Sequence, residues 1–147
     1  MKVVNRKARY DYELLNRIEV GIMLSGAEVK SVKQGKISLE ESFARISPEG
    51  EVWLHNAHIH PYQFADNRDY QPTRSRKLLM HRQEILSLQK KMEGRGLSLV
   101  PTSIYSKKGR IKMEIAVAKG KKKWDKRQAI KKREQNREAR KILKDFN

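Results

Sequence analysis

Hydrophobic and polar residues alternate along several short stretches of this chain, which is the spacing of β-strands. Residues 18–24 (IEVGIML) are apolar at alternate and adjacent positions, which predicts a strand with one side well buried. Residues 43–47 and 51–55 are strand-like as well, and Pro48-Glu49-Gly50 is a turn signal that joins these two into a hairpin. A second hairpin is predicted from residues 97–106 and 110–119 around Lys107-Lys108-Gly109.

The second strand of this later hairpin predicts which side chains are buried. One face carries Ile111, Met113, Ile115 and Val117. The opposite face carries Lys112, Glu114, Ala116 and Ala118. Because successive side chains of a strand point to opposite faces, we expect the first set in the core.

Two stretches have helical spacing instead. Ser25–Lys33 is predicted as a short helix in which Ser25 and Glu28 form a capping box and Gly35 ends the element. From His81, the apolar residues Ile85, Leu88 and Met92 form one stripe, and Gly94 stops that helix. Residues 61–73 predict a loop, and 74–80 fit either a short strand or the start of a helix.

Five or six short antiparallel strands with helices between them predict a mainly β protein. A small closed or partly closed barrel solves the problem of exposed strand edges, and we expect an OB-fold-like antiparallel barrel with a few short helices. We assign residues 1–118 to this barrel and 119–147 to a basic C-terminal tail.

Charge then indicates the kind of partner. The 147 residues include 34 Lys and Arg against 17 Asp and Glu, which gives a net charge of +17. The tail carries 13 basic and 4 acidic residues, and residues 1–118 are basic as well, with a net charge of +8. This excess predicts a polyanion as partner, most commonly nucleic acid.

Other function classes find less support in the sequence. The chain has no cysteine, which excludes disulfides and thiol chemistry. It has no apolar run near the roughly 20 residues of a membrane span and no signal-peptide pattern, so we expect a cytoplasmic protein. His55, His58 and His60 are the best metal-like cluster, but no cysteine or carboxylate lies close in sequence, so we expect no metal site, no cofactor and no catalytic residues.

Several basic residues are interleaved with aromatic or apolar ones, as in RNA-binding barrels. Arg74, Arg76 and Lys77 precede Leu78-Leu79, and this stretch is either a phosphate-binding strand face or a solvated charge run. The later hairpin combines Tyr105 with the cations Lys107, Arg110 and Lys112, although Tyr105 also fits a core position.

The tail has a different character. Residues 131–138 contain no apolar residue, and beyond them Ala139, Ile142, Leu143 and Phe146 follow a helical spacing. A segment this short is marginal as an isolated helix, so we expect it to be disordered when free and helical when bound. Trp124 lies between the basic runs Lys121-Lys122-Lys123 and Lys126-Arg127, and we expect it to stack on a nucleobase unless it docks onto the barrel.

Five motifs, in this order along the chain, resemble the SmpB family, the bacterial partners of transfer-messenger RNA (SsrA RNA) in trans-translation. The motifs are NRKAR (5–9), GIMLSGAEVKSVKQGK (21–36), RSRKLLMHRQEI (74–85), GLSLVPTSIYSKKGRIKMEIAVAKGKK (96–122) and DKR (125–127). The resemblance runs from about Asn5 to the end of the chain.

The resemblance implies an OB-like barrel that is not an enzyme and has no small-molecule substrate. Such a protein binds the tRNA-like domain of transfer-messenger RNA at its elbow and brings it to ribosomes stalled on broken messages. Its tail then enters the vacant decoding centre and message channel, becomes helical there, and enables peptide tagging and ribosome rescue.

Motif matching transfers the family's contacts to this chain. The residues implied to contact transfer-messenger RNA are Glu19, Leu79 and Lys112, with Glu28, Lys30, Arg74, Arg76 and Lys77 as wider candidates. The implied decoding-centre residues are Gly120, Lys121, Lys122, Trp124, Asp125, Lys126 and Arg127, followed by Ile142, Leu143 and Lys144. The family often has His or Tyr where this chain has Trp124, so a role that requires imidazole protonation does not transfer.

Glu19 is unusual among these residues because a carboxylate repels phosphate. It can instead accept hydrogen bonds from base amino groups or sugar hydroxyls, which contributes selectivity.

Three other interpretations of the sequence stay open. They are a ribosomal or RNA-chaperone barrel with a basic tail, a protein that binds membrane surfaces through its tail, and a zinc enzyme that uses the three histidines.

Overall fold

The computed structural model of this chain describes residues 1–121, together with Arg133, Glu134 and Arg137. Within residues 1–121 the strands are β1 (Lys2–Val4), β2 (Tyr12–Ile22), β3 (Ile37–Ser38), β4 (Phe43–Ile46), β5 (Val52–His55), β6 (His58–Ile59), β7 (Arg76–Leu79), β8 (Ser98–Lys107) and β9 (Arg110–Gly120). The helices are α1 (Arg6–Asp11), α2 (Gly26–Lys33) and α3 (Arg82–Met92).

The main sheet closes on itself. Its strands follow the order β8-β4-β5-β7-β2-β9, and β9 pairs back onto β8, while β1 lies along β8 and the short strands β3 and β6 pair separately. All of these pairings are antiparallel. Closure leaves no long unpaired edge in the ring. The expectation of a mainly β protein with a closed sheet is confirmed, and the finer assignment as an OB-fold stays a prediction.

The hydrophobic core fills the ring, and β9 shows how the alternating pattern builds it. Ile111, Met113, Ile115 and Val117 are all buried in the main cluster, as their spacing predicted. Ala118 on the other face is buried too, because α1 packs there and forms a smaller cluster with Ala8, Val100 and Ala118. β9 also continues to Gly120, past the barrel end predicted at residue 118.

The two helices predicted from sequence are present. The Ser25 hydroxyl accepts the Glu28 amide at 3.2 Å, and Glu28 accepts the Ser25 amide at 3.0 Å, which is the expected capping box. α3 buries Ile85 and Leu88 against the ring.

Residues 76–79 form a strand, which decides between the short strand and the helix start that the sequence left open for residues 74–80. No helix in the described part of the chain is long and apolar enough to cross a membrane.

The N-terminal region contains elements that the apolar pattern did not predict. β1 has only three residues and α1 six, and α1 (RKARYD) has no apolar periodicity. The helix is specified by a side chain instead. Asn5 caps it by accepting the Ala8 amide at 3.1 Å, and its Nδ2 donates to the carbonyls of Leu39 at 3.1 Å and Pro101 at 2.9 Å. One buried asparagine therefore ties this helix to two distant segments of the barrel.

Candidate nucleic-acid interface

Three of the predicted contact residues meet on the outer face of the ring. In the strand register Gly21 on β2 lies opposite Leu79 on β7 and also opposite Lys112 on β9. Glu19 lies two positions before Gly21 and therefore on the same face of β2. On β8, Tyr105 lies opposite Lys112 of β9, and Lys107 follows on the same face of β8. We call these five residues, Glu19, Leu79, Tyr105, Lys107 and Lys112, the outer patch.

Gly21 makes room for the apolar member of the outer patch. A Cβ atom added at Gly21 would lie 3.1 Å from the Cβ and 3.3 Å from a terminal methyl of Leu79, so the leucine side chain lies directly over the glycine. The sequence left open whether Leu79 belongs to the core. It is 50% exposed, whereas its neighbour Leu78 is buried. A leucine beside a partly exposed lysine can contact sugars or bases while the cation meets a phosphate.

Glu19 is held in place by its neighbours in the outer patch. The Tyr105 hydroxyl donates to one carboxylate oxygen, and Lys107 Nζ lies 3.3 Å from the other. The Tyr105 hydrogen bond, together with Lys107, lowers the pKa of Glu19. Burial, together with the Glu19 carboxylate, raises the pKa of Tyr105 to about 12. At neutral pH the carboxylate is therefore ionised and oriented, and Tyr105 remains a hydrogen-bond donor.

A second carboxylate faces Glu19 across the β2–β9 pair. Alternation along the strand placed Glu114 on the outer face, but its pairing with Glu19 depends on the strand register and was not visible in the sequence. Glu114 lies directly opposite Glu19, an arrangement that is unfavourable for two like charges. Each carboxylate has its own partners, which offsets the repulsion. Glu114 accepts from the Thr102 hydroxyl and lies 3.7 Å from Arg17 Nη1, on the side away from Tyr105 and Lys107. Arg17 thus adds an exposed cation beside the outer patch.

The structure corrects two of the wider candidates. The side chain of Arg76 is 0% exposed and that of Glu28 is 1% exposed, so neither reaches an RNA bound at the surface. This burial does not fit the predicted contact with RNA, and it arises because alternation along β7 turns Arg76 inward and Lys77 outward. Lys77 is partly exposed and lies 3.5 Å from the Glu51 carboxylate.

Glu28 and Arg76 form a buried ionic network. Arg76 Nε donates to Glu28 at 2.7 Å, and its Nη1 and Nη2 donate to the carbonyls of Ala57 at 2.8 Å and Pro72 at 2.9 Å. Arg74 also donates to the Glu28 carboxylate, and so does the Tyr70 hydroxyl, at 3.2 Å. The network joins α2, β7 and the loop between β6 and β7.

The charge of Glu28 is set by this network. Burial by itself raises the pKa of the carboxyl, but hydrogen bonds from Arg74, the Ser25 amide and Arg76 outweigh it and lower the pKa to about 2. Burial, together with the Glu28 charge, raises the pKa of Tyr70. Only the pairing of Ser25 with Glu28 was visible in the sequence, since the arginines and Tyr70 are distant from Glu28 along the chain.

The remaining described candidates lie at the surface. Lys30 is exposed on α2, with its Nζ 5.8 Å from the centre of the Tyr62 ring. Arg74 keeps part of its side chain exposed while it pairs with Glu28. Arg110 is exposed opposite Lys107 in the β8–β9 hairpin. The structure thus places cations around the ring as well as in the outer patch.

The tail candidates fall mostly outside the described residues. Gly120 ends β9 opposite Tyr12. The Lys121 amide donates to the Asp11 carbonyl at 3.0 Å, and its Nζ donates to the Arg9 carbonyl at 3.1 Å. The candidates outside the described residues are Lys122, Trp124, Asp125, Lys126, Arg127, Ile142, Leu143 and Lys144.

The three histidines are not arranged as one metal centre. The rings of His58 and His60 lie 4.7 Å apart, edge to face, while His55 Nδ1 is 2.7 Å from the Ser75 hydroxyl. In the part of the chain that the structure describes, no three His, Cys, Asp or Glu side chains are grouped so that they could hold a metal ion.

Comparison with known proteins gives a consistent result over nearly the whole chain. The family model described as "SmpB protein" matches residues 2–145. The "SsrA-binding protein" of Streptococcus mutans is 46% identical over 97% of this chain and 92% of its own length. That of Chlorobium luteolum is 50% identical over 98% of this chain and 92% of its own length.

A solved structure is similar as well. A chain from a structure described as "tmRNA-SmpB: a journey to the center of the bacterial ribosome" superposes with a TM-score of 0.69 at 44% identity. The match covers 83% of this chain and 85% of that chain.

Proposed function

This chain belongs to the SmpB family, and from that premise we propose that it is the SsrA-RNA-binding protein of trans-translation in its cell. It is an RNA-binding protein and not an enzyme, and its partners are transfer-messenger RNA and the ribosome. Because it acts on ribosomes, we assign it to the cytoplasm.

The outer patch is the part of the barrel that we assign to the tRNA-like domain of transfer-messenger RNA. The single observation that carries this assignment is the convergence of Glu19, Leu79 and Lys112 around Gly21, from three different strands. The patch combines a cation for phosphate, an apolar side chain for sugar or base, and a fixed acceptor for amino or hydroxyl groups. A purely electrostatic surface would need only the first of these.

The tail is assigned to the ribosome. Residues 120–147 are rich in Lys and Arg, and ribosomal RNA would neutralise their mutual repulsion. We place this segment in the vacant decoding centre and message channel, where Trp124 stacks on a base and a helix forms on contact. The barrel then holds transfer-messenger RNA in position for peptide tagging, which releases the stalled ribosome.

The barrel assignment is tested with Leu79→Ala and Lys112→Ala in gel-shift titrations against the isolated tRNA-like domain. Both variants should bind more weakly, by roughly 5- to 150-fold, because a good contact contributes on the order of 1–3 kcal/mol. Melting temperatures should stay near that of the parent protein because Leu79 is half exposed and Lys112 is partly exposed.

Matched control variants are available on α3. Leu86 is 49% exposed, almost as much as Leu79, and Lys90 is exposed as well. Leu86→Ala and Lys90→Ala should leave RNA affinity within about twofold. If these controls weaken binding as much as the patch variants do, the outer patch is not the binding surface and the charge of the whole protein explains the affinity.

The tail assignment has a separate test. Truncation after Lys119 should leave the affinity for isolated transfer-messenger RNA within a few-fold but abolish tagging in a reconstituted assay at saturating RNA. Trp124→Ala should lower the tagging rate less, and Trp124→His should be nearly normal if stacking is its role. A truncated protein that tags at the full-length rate would show that the tail is only a solvated charge run.

A further inference from the structure

A groove of about 870 Å³ lies on the barrel between α1, β4 and the end of α3. Its apolar lining includes Ala8, Phe43, Ile46, Met92 and Leu97. All of these except Ala8 are partly exposed, so the groove offers apolar surface that the described residues leave uncovered. It contains none of the five residues of the outer patch.

The rim of the groove is acidic, in contrast to the rest of this basic chain. Four acidic residues line it, namely Asp11, Glu40, Glu41 and Glu93, against the two cations Lys7 and Arg45. Lys7 Nζ pairs with Glu41 at 2.7 Å. The carboxylates of Glu40 and Glu93 have no hydrogen bond or ion pair with another described residue. An apolar floor with an acidic rim fits a short amphipathic segment with cations on its flanks.

The chain's own tail starts at this groove. Lys121 is fixed by its amide to the carbonyl of Asp11 and by its Nζ to the carbonyl of Arg9. Asp11 and its neighbour Tyr12 are lining residues. Lys121, to which residues 122–147 are attached, therefore lies at the edge of the groove.

The end of the tail has the composition that the groove fits. Ala139, Ile142, Leu143 and Phe146 form one apolar stripe, and Arg140, Lys141 and Lys144 flank it. We propose that in the free protein the groove binds this segment, residues 139–147, with the apolar stripe on the floor and the cations beside Glu40 and Glu93.

The tether makes weak binding sufficient. The 17 residues 122–138 include the helical residues Arg133, Glu134 and Arg137, and a chain of this length spans roughly 20–25 Å as a coil and about 25 Å as a helix. Either length is enough to return to a groove beside its own anchor. A short tether gives an effective concentration in the millimolar range. A contact with a dissociation constant of about 1 mM would therefore be occupied about half of the time. Docking of this kind would keep the basic tail from binding RNA indiscriminately, and a ribosome that binds the tail more tightly would release it.

The chain allows a direct measurement because it has no native cysteine. A spin label on Asn147→Cys should broaden the backbone amide signals of Ile46 and Leu97 in the free, full-length protein, reducing their intensities by half or more. The signal of Lys30 on α2, which is not a lining residue, should change little. Because no RNA is present, this result is independent of the proposed function in trans-translation.

Charge variants test the specificity of the contact. Glu40→Lys combined with Glu93→Lys should remove most of the broadening, and adding Lys141→Glu and Lys144→Glu should restore it in part. Asp69→Lys, at an exposed position in the loop between β6 and β7, is the matched control and should have no effect. Circular dichroism melting confirms that each variant is folded.

Three outcomes would overturn the proposal. The first is an absence of broadening at the groove, and the second is equal broadening over the whole surface. The third concerns a mixture of spin-labelled protein that carries no isotope label with isotope-labelled protein that carries no spin label. If the groove signals are still broadened in this mixture, the occupant is the tail of another molecule.

Discussion

Glu28→Gln is the substitution for which the structure gives the clearest magnitude. The change is nearly isosteric, so it creates no cavity, but it leaves the fully buried guanidinium of Arg76 without its counter-charge. Removing one partner of a buried ion pair costs about 3–5 kcal/mol. Against a total stability of about 5–15 kcal/mol, this is a large fraction. For a domain of this size it corresponds to a melting temperature lower by roughly 10–20 °C.

The pKa of Glu28 gives a second, independent value for the stability that the buried carboxylate contributes. Its carboxyl pKa falls from an ordinary value of 4.5 to about 2 in the folded protein. At about 1.4 kcal/mol for each pH unit, this shift stabilises the fold by about 3 kcal/mol. Because the folded pKa is the lower one, the contribution is complete above about pH 4.5. It is lost as the pH falls toward 2.

Urea unfolding of both proteins at several pH values measures these effects. At pH 7 the variant should be less stable by about 3–5 kcal/mol, and the difference should shrink steadily between pH 5 and pH 2. The matched control is Glu51→Gln, since the Glu51 carboxylate lies 3.5 Å from Lys77 at the surface and should contribute less than about 1 kcal/mol. If Glu28→Gln costs no more than this control, the buried network does not stabilise the fold.

Asn5→Ala removes the cap of α1 and two buried hydrogen bonds, so denaturant unfolding should show a loss of about 1–3 kcal/mol, and an unchanged midpoint would contradict this. Gly21→Val should displace Leu79 and weaken binding to the tRNA-like RNA several-fold in gel shifts with the melting temperature nearly unchanged, whereas Gly26→Val, where a Cβ has open space, should not weaken it. RNA affinity should fall roughly 10³–10⁵-fold between about 50 and 200 mM salt if six to ten phosphates are contacted, and a flat titration would exclude an ionic interface.

Local patterns in the sequence were sufficient wherever a property depends on residues close together in the chain. The buried face of β9 follows from strict alternation. The start of α2 follows from Ser25 and Glu28, three residues apart. The motifs that resemble the SmpB family were also readable without coordinates, and the comparisons confirm the family. Composition alone indicated a polyanionic partner.

The prediction for residues 74–79 shows where such patterns end. Arg76 and Lys77 are adjacent basic residues in a stretch too short to show a period. Both alternatives drawn from the sequence, a phosphate-binding strand face and a solvated charge run, placed these residues at the surface. The orientation of β7 is set by its pairing with β5 and β2, which are distant in sequence. That pairing turns Arg76 toward Glu28 and leaves Leu79 exposed over Gly21.

The sequence by itself therefore determined the class of fold, the strand faces with a clear period, the family and the chemistry of the partner. The tertiary structure decided which charged residues are available to that partner. It buried Glu28 and Arg76 together and collected Glu19, Leu79 and Lys112 from three strands. The physical reason is closure of the ring. Closure fixes the strand registers, and the registers decide which side chains face the core and which face outward.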